Sequence, residues 1–414
     1  MPTTIRSEKR LAASATNLEP HAGVQTFDLD EHLVIYAEHL SIPYILNPPA
    51  ALVWKELASG QRLTSVVAKM ARQAGLPKHS VRRDVDRVLS QWFAIGLLGS
   101  SPPRKITWPR RDDSELSVRL RTPADRDVKA HSRGRKVTLR ILDFLFQIEA
   151  FNGQLIEEIG ELFKYAHVSD FDDREAPTRL FLRRQRHRWQ LLEEGTVLAC
   201  CEARDTVVPL VHTFALMLSY LRSASFAAVH GAAVSQGDRC VLMPGRSGDG
   251  KSTLAAALVG MGFACYADDL AVLAGPPVQL RPLPTRIGLK KGSWSLLSDV
   301  FPELDALPSY ARADGQWVKY LLPRTHTEGT SVDATVNVTT LLFPRYSAAG
   351  KNLLVPIPQA VALEELSSAG YDLPGQISAD WVRAVTEWLR DVPCYTLEFS
   401  NVDAAVARVT SLLT

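Results

Sequence analysis

Apolar positions alternate along some stretches of this chain and recur every three to four residues along others, and the two rhythms predict a mixed α/β protein. Residues 24–30 and 32–36 have the short alternating or clustered apolar pattern of strands. Asn47-Pro48-Pro49 then opens an amphipathic helix that runs to Leu57, because Asn caps a helix start and proline suits its first turn. A second helix is predicted from Leu63 to Ala74, stopped by Gly75 and Pro77. A third, from Ser80, aligns Val81, Val85, Val88, Leu89 and Trp92 on one face. These elements predict a winged-helix-like α+β module over residues 20–100.

Residues 101–135 are dense in proline, arginine and aspartate and read as a linker. An α/β domain is then expected over 136–414, with a β-rich lead-in over 136–225 and a core over 226–414. The lead-in has short strands at Leu180–Leu182 and Trp189–Leu192, a turn at Glu193-Glu194-Gly195, and a buried helix over Val207–Tyr220. Further on, Ala228–Val234 and Arg239–Met243 read as buried strands and Ser252–Met261 as an Ala/Leu-rich helix. The run Gly262–Leu273 is a strand interrupted by Asp268 and Asp269. The C-terminal part predicts a strand over Val336–Tyr346, helices over Val361–Ser368 and Ala379–Asp391, a strand over Cys394–Phe399, and a helix from Val402.

Between the Arg239–Met243 strand and the helix from Ser252 lies Gly245-Arg246-Ser247-Gly248-Asp249-Gly250-Lys251-Ser252-Thr253, which fits the phosphate-loop pattern G-x-x-x-x-G-K-[ST]. The glycines let successive N–H groups turn inward onto phosphate oxygens, Lys251 brings a positive charge, and the Ser252 hydroxyl can hold Mg²⁺. The strand, loop and helix come in the required order, so an NTP phosphate chain is expected at the helix N-terminus. Two acids inside an apolar run are costly unless paired or functional. At βαβ spacing after a phosphate loop, Asp268 and Asp269 read as a metal-binding carboxylate and a base. His230 alone reads more readily as structural than catalytic.

His230-Gly231, then Lys251 21 residues later, then Asp268-Asp269 starting 17 residues beyond that, resemble the HPr kinase/phosphorylase family. The resemblance implies an ATP- or other NTP-dependent, Mg²⁺-dependent serine kinase of P-loop α/β fold. It implies Asp268 as base toward a serine hydroxyl, His230 assisting, Lys251 and Ser252 positioning the nucleotide, and Ser252 with Asp269 at the metal. The glycine-rich signature with acidic and arginine residues that follows the Asp pair in HPr kinases has no counterpart. Leu283–Ser293 and Trp317–Tyr320 stand instead and resemble divergent HPr-kinase-related proteins of bacterial gene clusters. Arg286, Lys290 and Lys319 are thereby candidate contacts to phosphate or substrate, with a solvated basic face as the alternative.

In the N-terminal module, Leu46-Asn47-Pro48-x-Ala50-x-x-x-Trp54 and the later Gly96-Leu97-Leu98 resemble the PqqD-like family. The resemblance implies binding of the leader segment of a ribosomally made precursor peptide. Strand addition is the expected mode, with Leu33, Val34, Ile35, Tyr36 and Val81 as the leader-binding residues. DNA is the competing ligand for such a module, since Arg82, Arg83 and Arg87 lie along the third helix. Asp84 and Asp86 share that helix and break up a basic stripe, so no nucleic-acid partner is expected.

Composition narrows the field further. The 414 residues are 46% hydrophobic and 22% charged with a net charge of +2, which gives no electrostatic case for nucleic acid or an anionic membrane. The five cysteines form no C-x-x-C pair, so neither a zinc site nor a disulfide framework is expected. No export signal or bilayer-length apolar run stands out, and a cytoplasmic location is expected. The reading is a leader-guided kinase acting on a serine or threonine of a precursor peptide. Two alternatives stand beside it, a small-molecule hydroxyl kinase and a nucleotide-gated peptide-binding protein without transfer activity. Homo-oligomer formation is left open.

Overall fold

The computed structural model describes residues 18–40, 42–99, 134–169, 175–283, 285–323, 335–372 and 377–413. The linker expected over 101–135 falls almost wholly outside them. The described chain is a mixed α/β protein with several sheets, divided into two compact units.

The first unit is built on β1 (Gln25–Leu29), β2 (His32–Tyr36) and β3 (Tyr44–Leu46), an antiparallel sheet in the order β1-β2-β3. Helices α1 (Pro48–Ala58), α2 (Leu63–Ala74) and α3 (Lys78–Ala94) follow. Asn47 accepts from the Ala50 N–H and so caps α1, and Gly75 ends α2 in the left-handed conformation that glycine adopts without strain. The core gathers Leu33, Ile35, Leu46, Trp54, Leu57, Val81, Val85, Leu89 and Trp92, with the two indoles edge-to-face at 5.1 Å. The exposed face of α3 carries the pairs Arg82–Asp86 and Arg87–Asp84, which are solvated i,i+4 and i,i+3 pairs.

This unit is not contiguous in sequence, for residues 376–390 join it. The helix Ala379–Arg390, expected from sequence to belong to the C-terminal domain, packs on β1. Its Arg383 guanidinium lies 5.8 Å from the Phe27 ring centre, and Arg390 donates to the Asp28 carbonyl at 2.7 Å.

The second unit opens with β4 (Arg135–Ile141), β5 (Phe144–Ala150), α4 (Gly153–Leu162), β6 (Thr178–Gln185), β7 (Arg188–Glu193) and β8 (Thr196–Cys201), whose strands form one sheet in chain order. The basic run Arg183–Arg188 makes the β6–β7 hairpin tip. Buried α5 (Val207–Arg222) leads on to β9 (Ala227–Val229), β10 (Gly231–Gln236), β11 (Arg239–Pro244), α6 (Lys251–Gly260) and β12 (Ala264–Ala267). Next come β13 (Ala271–Ala274), β14 (Gln279–Arg281), β15 (Ile287–Lys290), α7 (Lys291–Leu297), β16 (Ser309–Ala311), β17 (Trp317–Leu321), β18 (Val338–Tyr346) and β19 (Leu353–Pro356). The chain ends with α8 (Gln359–Ala369), β20 (Gly370–Asp372), α9 (the helix Ala379–Arg390 of the first unit), β21 (Cys394–Phe399) and α10 (Val402–Leu413).

The sheet that positions the site has the order β12-β10-β11-β18-β21-β19. β11, β18 and β21 run parallel, while β10 is antiparallel to both β11 and β12. It follows that β11 and β12 run the same way and end at the same edge of the sheet, where β10 begins. Helix α6 is buried along most of its length through Leu254, Ala255, Ala256, Leu258 and Val259, packed with Val234, Val241, Met243 and Phe399. Among the described residues no helix is long and apolar enough to cross a membrane.

Candidate functional site

The topology alone brings three sequence features together. The glycine-rich segment leaves the end of β11, Asp268 and Asp269 follow the end of β12, and His230 precedes the start of β10. Gly231 lets the strands close at this point, since a Cβ there would sit 2.9 Å from the Met243 carbonyl oxygen. The His230 carbonyl accepts from the Gly245 N–H at 3.1 Å and ties the histidine to the first residue of the loop.

The loop itself turns through Gly248 and Gly250, at φ of 97° and 86°, a region that residues with a Cβ rarely adopt. Asp249 braces the turn, its Oδ2 accepting from the Arg246 N–H at 2.5 Å. Helix α6 starts at Lys251 with no side-chain cap, so its first-turn N–H groups are suited to an anion. Lys251 is 5% exposed and donates from Nζ to the Arg246 carbonyl at 2.7 Å. Burial pulls its ammonium down to about 8, against the upward pull of Asp249, Asp269 and Asp268. Ser247 sits on the exposed rim, where its hydroxyl accepts from Lys290 Nζ at 2.6 Å. Thr253 engages Ser293 of α7 through its hydroxyl at 2.6 Å.

The two carboxylates have different surroundings. Asp268 is 2% exposed, and its Oδ1 and Oδ2 accept from the Ser252 hydroxyl and the Gly288 N–H, each at 2.8 Å. Burial, and next the Asp269 charge, push it up to about 6, while those two hydrogen bonds and Lys251 hold it back. The Asp269 side chain keeps 31% of its surface, and its backbone has a strained φ of 70°. Burial pushes Asp269 upward too, but His230, Arg312, His212 and Lys251 outweigh it and leave this carboxyl below its ordinary value. His230 Nδ1 is 2.9 Å from the Asp269 carbonyl oxygen and 3.4 Å from Oδ1. Donation from Nδ1 to that carbonyl puts the lone pair of a neutral ring on Nε2. Burial foremost, then Lys251, lowers the His230 pKa and favours the neutral ring.

The Ser252 hydroxyl, expected at a metal with Asp269, donates to Asp268. Other expectations need correction. Arg286 does not reach the loop: it donates to the Glu161 carbonyl at 2.6 Å and to the Glu161 carboxylate at 2.9 Å, joining β15 to α4. Lys319 is buried, donates to the Leu304 carbonyl at 2.6 Å and lies 4.7 Å from the Trp294 ring centre, so it supports the fold. Of the three basic candidates, Lys290 is the one brought to the loop. In the first unit, β2 is the central strand and both its edges are paired, so it cannot take an added strand. Leu33, Val34, Ile35 and Val81 are buried at 2%, 0%, 0% and 6% exposure, and Tyr36 lies on that same central strand. The outer edge of β3 is the sheet's alternative, since β1 packs against α9.

Two site residues escaped the sequence reading. Arg312 lies with its Nε 3.7 Å from the Asp314 carboxylate and bears electrostatically on Asp269, His230 and His212. The Asp314-Gly315 turn between two short apolar runs was its signal, because the hairpin of β16 and β17 folds Arg312 back onto the Asp314 carboxylate, which Lys290 also approaches at 3.9 Å. His212 of α5 is buried between Phe163 and Tyr320, at ring-centre distances of 5.6 and 5.2 Å, and its Nε2 has no hydrogen-bond partner. Burial drives its pKa down to about 4. A histidine within an apolar helix gives no sequence signal of this kind.

Compared with known proteins, residues 31–98 match the family described as coenzyme PQQ synthesis protein D (PqqD). A search of curated proteins finds no match to the chain.

Proposed function

We propose that the chain is a leader-guided peptide kinase, which moves the γ-phosphoryl of ATP to a serine or threonine hydroxyl of a ribosomally made precursor peptide. The observation that carries this reading is the Ser252–Asp268 hydrogen bond at 2.8 Å, with Asp269 and His230 directly beside it. It joins the loop hydroxyl to a carboxylate 16 residues away, and both adjoin a basic, uncapped helix start. Phosphoryl transfer needs little more than such positioning, charge neutralisation and a base within reach of the acceptor.

The backbone N–H groups of 245–252 and Lys251 would hold the phosphates, and Lys290 would release Ser247 to reach them. Ser252 and Asp268 are hard oxygen donors that fit Mg²⁺, an ion that keeps several waters and takes one or two protein ligands. Mg²⁺, when bound, neutralises charge on the phosphate oxygens. Asp269 is the more exposed of the pair and borders His230, so these two would orient the acceptor hydroxyl and take its proton. This reverses the roles the family resemblance assigned to the two carboxylates. Asp268→Asn should raise the Mg²⁺ concentration needed for half-maximal rate. Asp269→Asn should lower kcat and leave that concentration unchanged, and equal Mg²⁺ shifts in both variants would contradict the split.

The PqqD match over 31–98 supports a peptide partner for the first unit. The leader would add as a strand along the outer edge of β3, where main-chain hydrogen bonds give affinity. Tethering raises the local concentration of the core peptide to about millimolar, so the transfer site can hold it weakly and remain selective. Kinetics with full-length and leaderless precursor test this reading. The leaderless peptide should show an apparent KM about 100-fold higher at the same ATP turnover limit. Equal KM values would rule the tether out.

A further inference from the structure

The loop has two flanks, and the transfer chemistry uses one of them. Asp268, Asp269 and His230 lie on the β10–β12 side, so the acceptor and the γ-phosphoryl belong there. The nucleoside end of a bound nucleotide must leave on the other side, past β18 and β21.

That side presents Tyr346. It is the last residue of β18, the parallel neighbour of the loop strand β11, and the residue is 47% exposed. Its backbone N–H donates to the Asp249 carbonyl at 3.1 Å, which fixes the residue to the loop. In register, Tyr346 pairs with Phe399 of β21, so both rings rise from one face of the sheet. Leu342 and Leu397 point to that face and pack in the cluster that contains α6. Phe399 is 1% exposed and meets the Tyr346 ring edge-on at 5.6 Å, which holds the outer ring in place. Gly250 packs against the pair, since a Cβ there would lie 2.7 Å from Phe399 Cζ and 3.1 Å from Tyr346 Cβ.

We infer that Tyr346 is the stacking platform for the purine base of the nucleotide, with Phe399 as its buried support. The inference rests on the reading of residues 245–252 as an NTP phosphate site. The ring is rigid and half-open, and it is bonded to the phosphate loop on the flank away from the carboxylates. A face of this kind accepts any purine, because stacking uses the base's π-surface and not its edge groups. Tyr346 therefore contributes affinity for a nucleotide over bare polyphosphate, and it does not choose between adenine and guanine.

The test is calorimetric binding of ATP, GTP and inorganic tripolyphosphate to the full chain and to its Tyr346→Ala and Tyr346→Phe variants. Tyr346→Ala should weaken ATP and GTP about tenfold, in line with the loss of one stacked base, and leave tripolyphosphate within about twofold. Tyr346→Phe, which keeps the ring, should bind all three as the parent does. Unchanged ATP binding in Tyr346→Ala would overturn the inference. A parallel loss of ATP and tripolyphosphate would overturn it as well, because the ring would then be bracing the loop. If the parent protein binds tripolyphosphate as tightly as ATP, the platform fails while the phosphate site stands. If it binds neither, the phosphate site fails and the platform with it.

Discussion

The two units place their candidate chemistry in opposite ways. In the first, titratable side chains are solvated and paired on the surface, as along α3, and what remains for a partner is backbone at the free edge of a three-stranded sheet. In the second, the site is made of buried charge, with Lys251 at 5% exposure and Asp268 at 2%, and the neutral His212 ring is buried at 4% against Phe163 and Tyr320. An edge recognises shape and extended conformation with little dependence on side-chain identity. A buried cluster costs stability to assemble and is expected where charge must act on a reacting group. Recognition and transfer are therefore expected to fail separately.

Removing the loop lysine or the more exposed of the two carboxylates should give the largest effect. Lys251→Ala and Asp269→Asn should each lower the transfer rate about 1000-fold, the scale of a lost electrostatic or positioning group. Leader affinity should stay within about twofold, because the proposal puts recognition in the other unit. A matching loss of leader binding would erase the contrast between the units.

Acid should separate the units next. His212 has a folded-state pKa of about 4 against an ordinary 6.5, so the unfolded chain takes up its proton first as pH falls. The stability from its neutral burial is complete above about pH 6.5 and is lost as pH falls toward about 4, by roughly 3 kcal/mol in all. His212→Phe, placed between Phe163 and Tyr320, removes this dependence. Urea unfolding at pH 7.5 and 4.5 should show a smaller acid loss in the variant, and an equal loss would show that His212 does not set the acid limit.

The two lysines brought out from the basic segments should divide in the same manner. Lys319→Met leaves the carbonyls of Leu304 and Asp305 without their donor, and should cost about 1–3 kcal/mol of stability with the KM for ATP unchanged. Lys290→Ala should raise the KM for ATP a few-fold and leave stability within about 0.5 kcal/mol, as surface changes do. Thermal unfolding and steady-state kinetics on the same pair decide both. In the first unit, hydrogen exchange with a bound leader should slow at Tyr44–Leu46 and stay unchanged at Gln25–Leu29. Protection at β1 would put the peptide on the other edge.

Much of this site could be read in the chain because its parts are local. A glycine loop between strand and helix, and two acids ending an apolar run, announce themselves within a dozen residues, and sheet topology brought them together. What was missed depends on distant contacts. Tyr44-Ile45-Leu46 is too short for a period to show and reads as the approach to α1, yet it is β3 and carries the free edge. The amphipathic pattern of Ala379–Arg390 predicts a helix but not that it packs on β1, more than 350 residues earlier in the chain. Arg286, Lys290 and Lys319 look alike as charges. The Glu161 carbonyl, the Ser247 hydroxyl and the Leu304 carbonyl set their roles apart.

The most direct measurement is intact-mass spectrometry of a candidate precursor peptide whose leader binds the first unit, after incubation with the protein, ATP and Mg²⁺. The account predicts the gain of one phosphate on a serine or threonine of the core segment, abolished in Lys251→Ala and Asp269→Asn and slowed when the leader is removed. An unmodified peptide that nevertheless binds tightly, with ATP left intact, would contradict it.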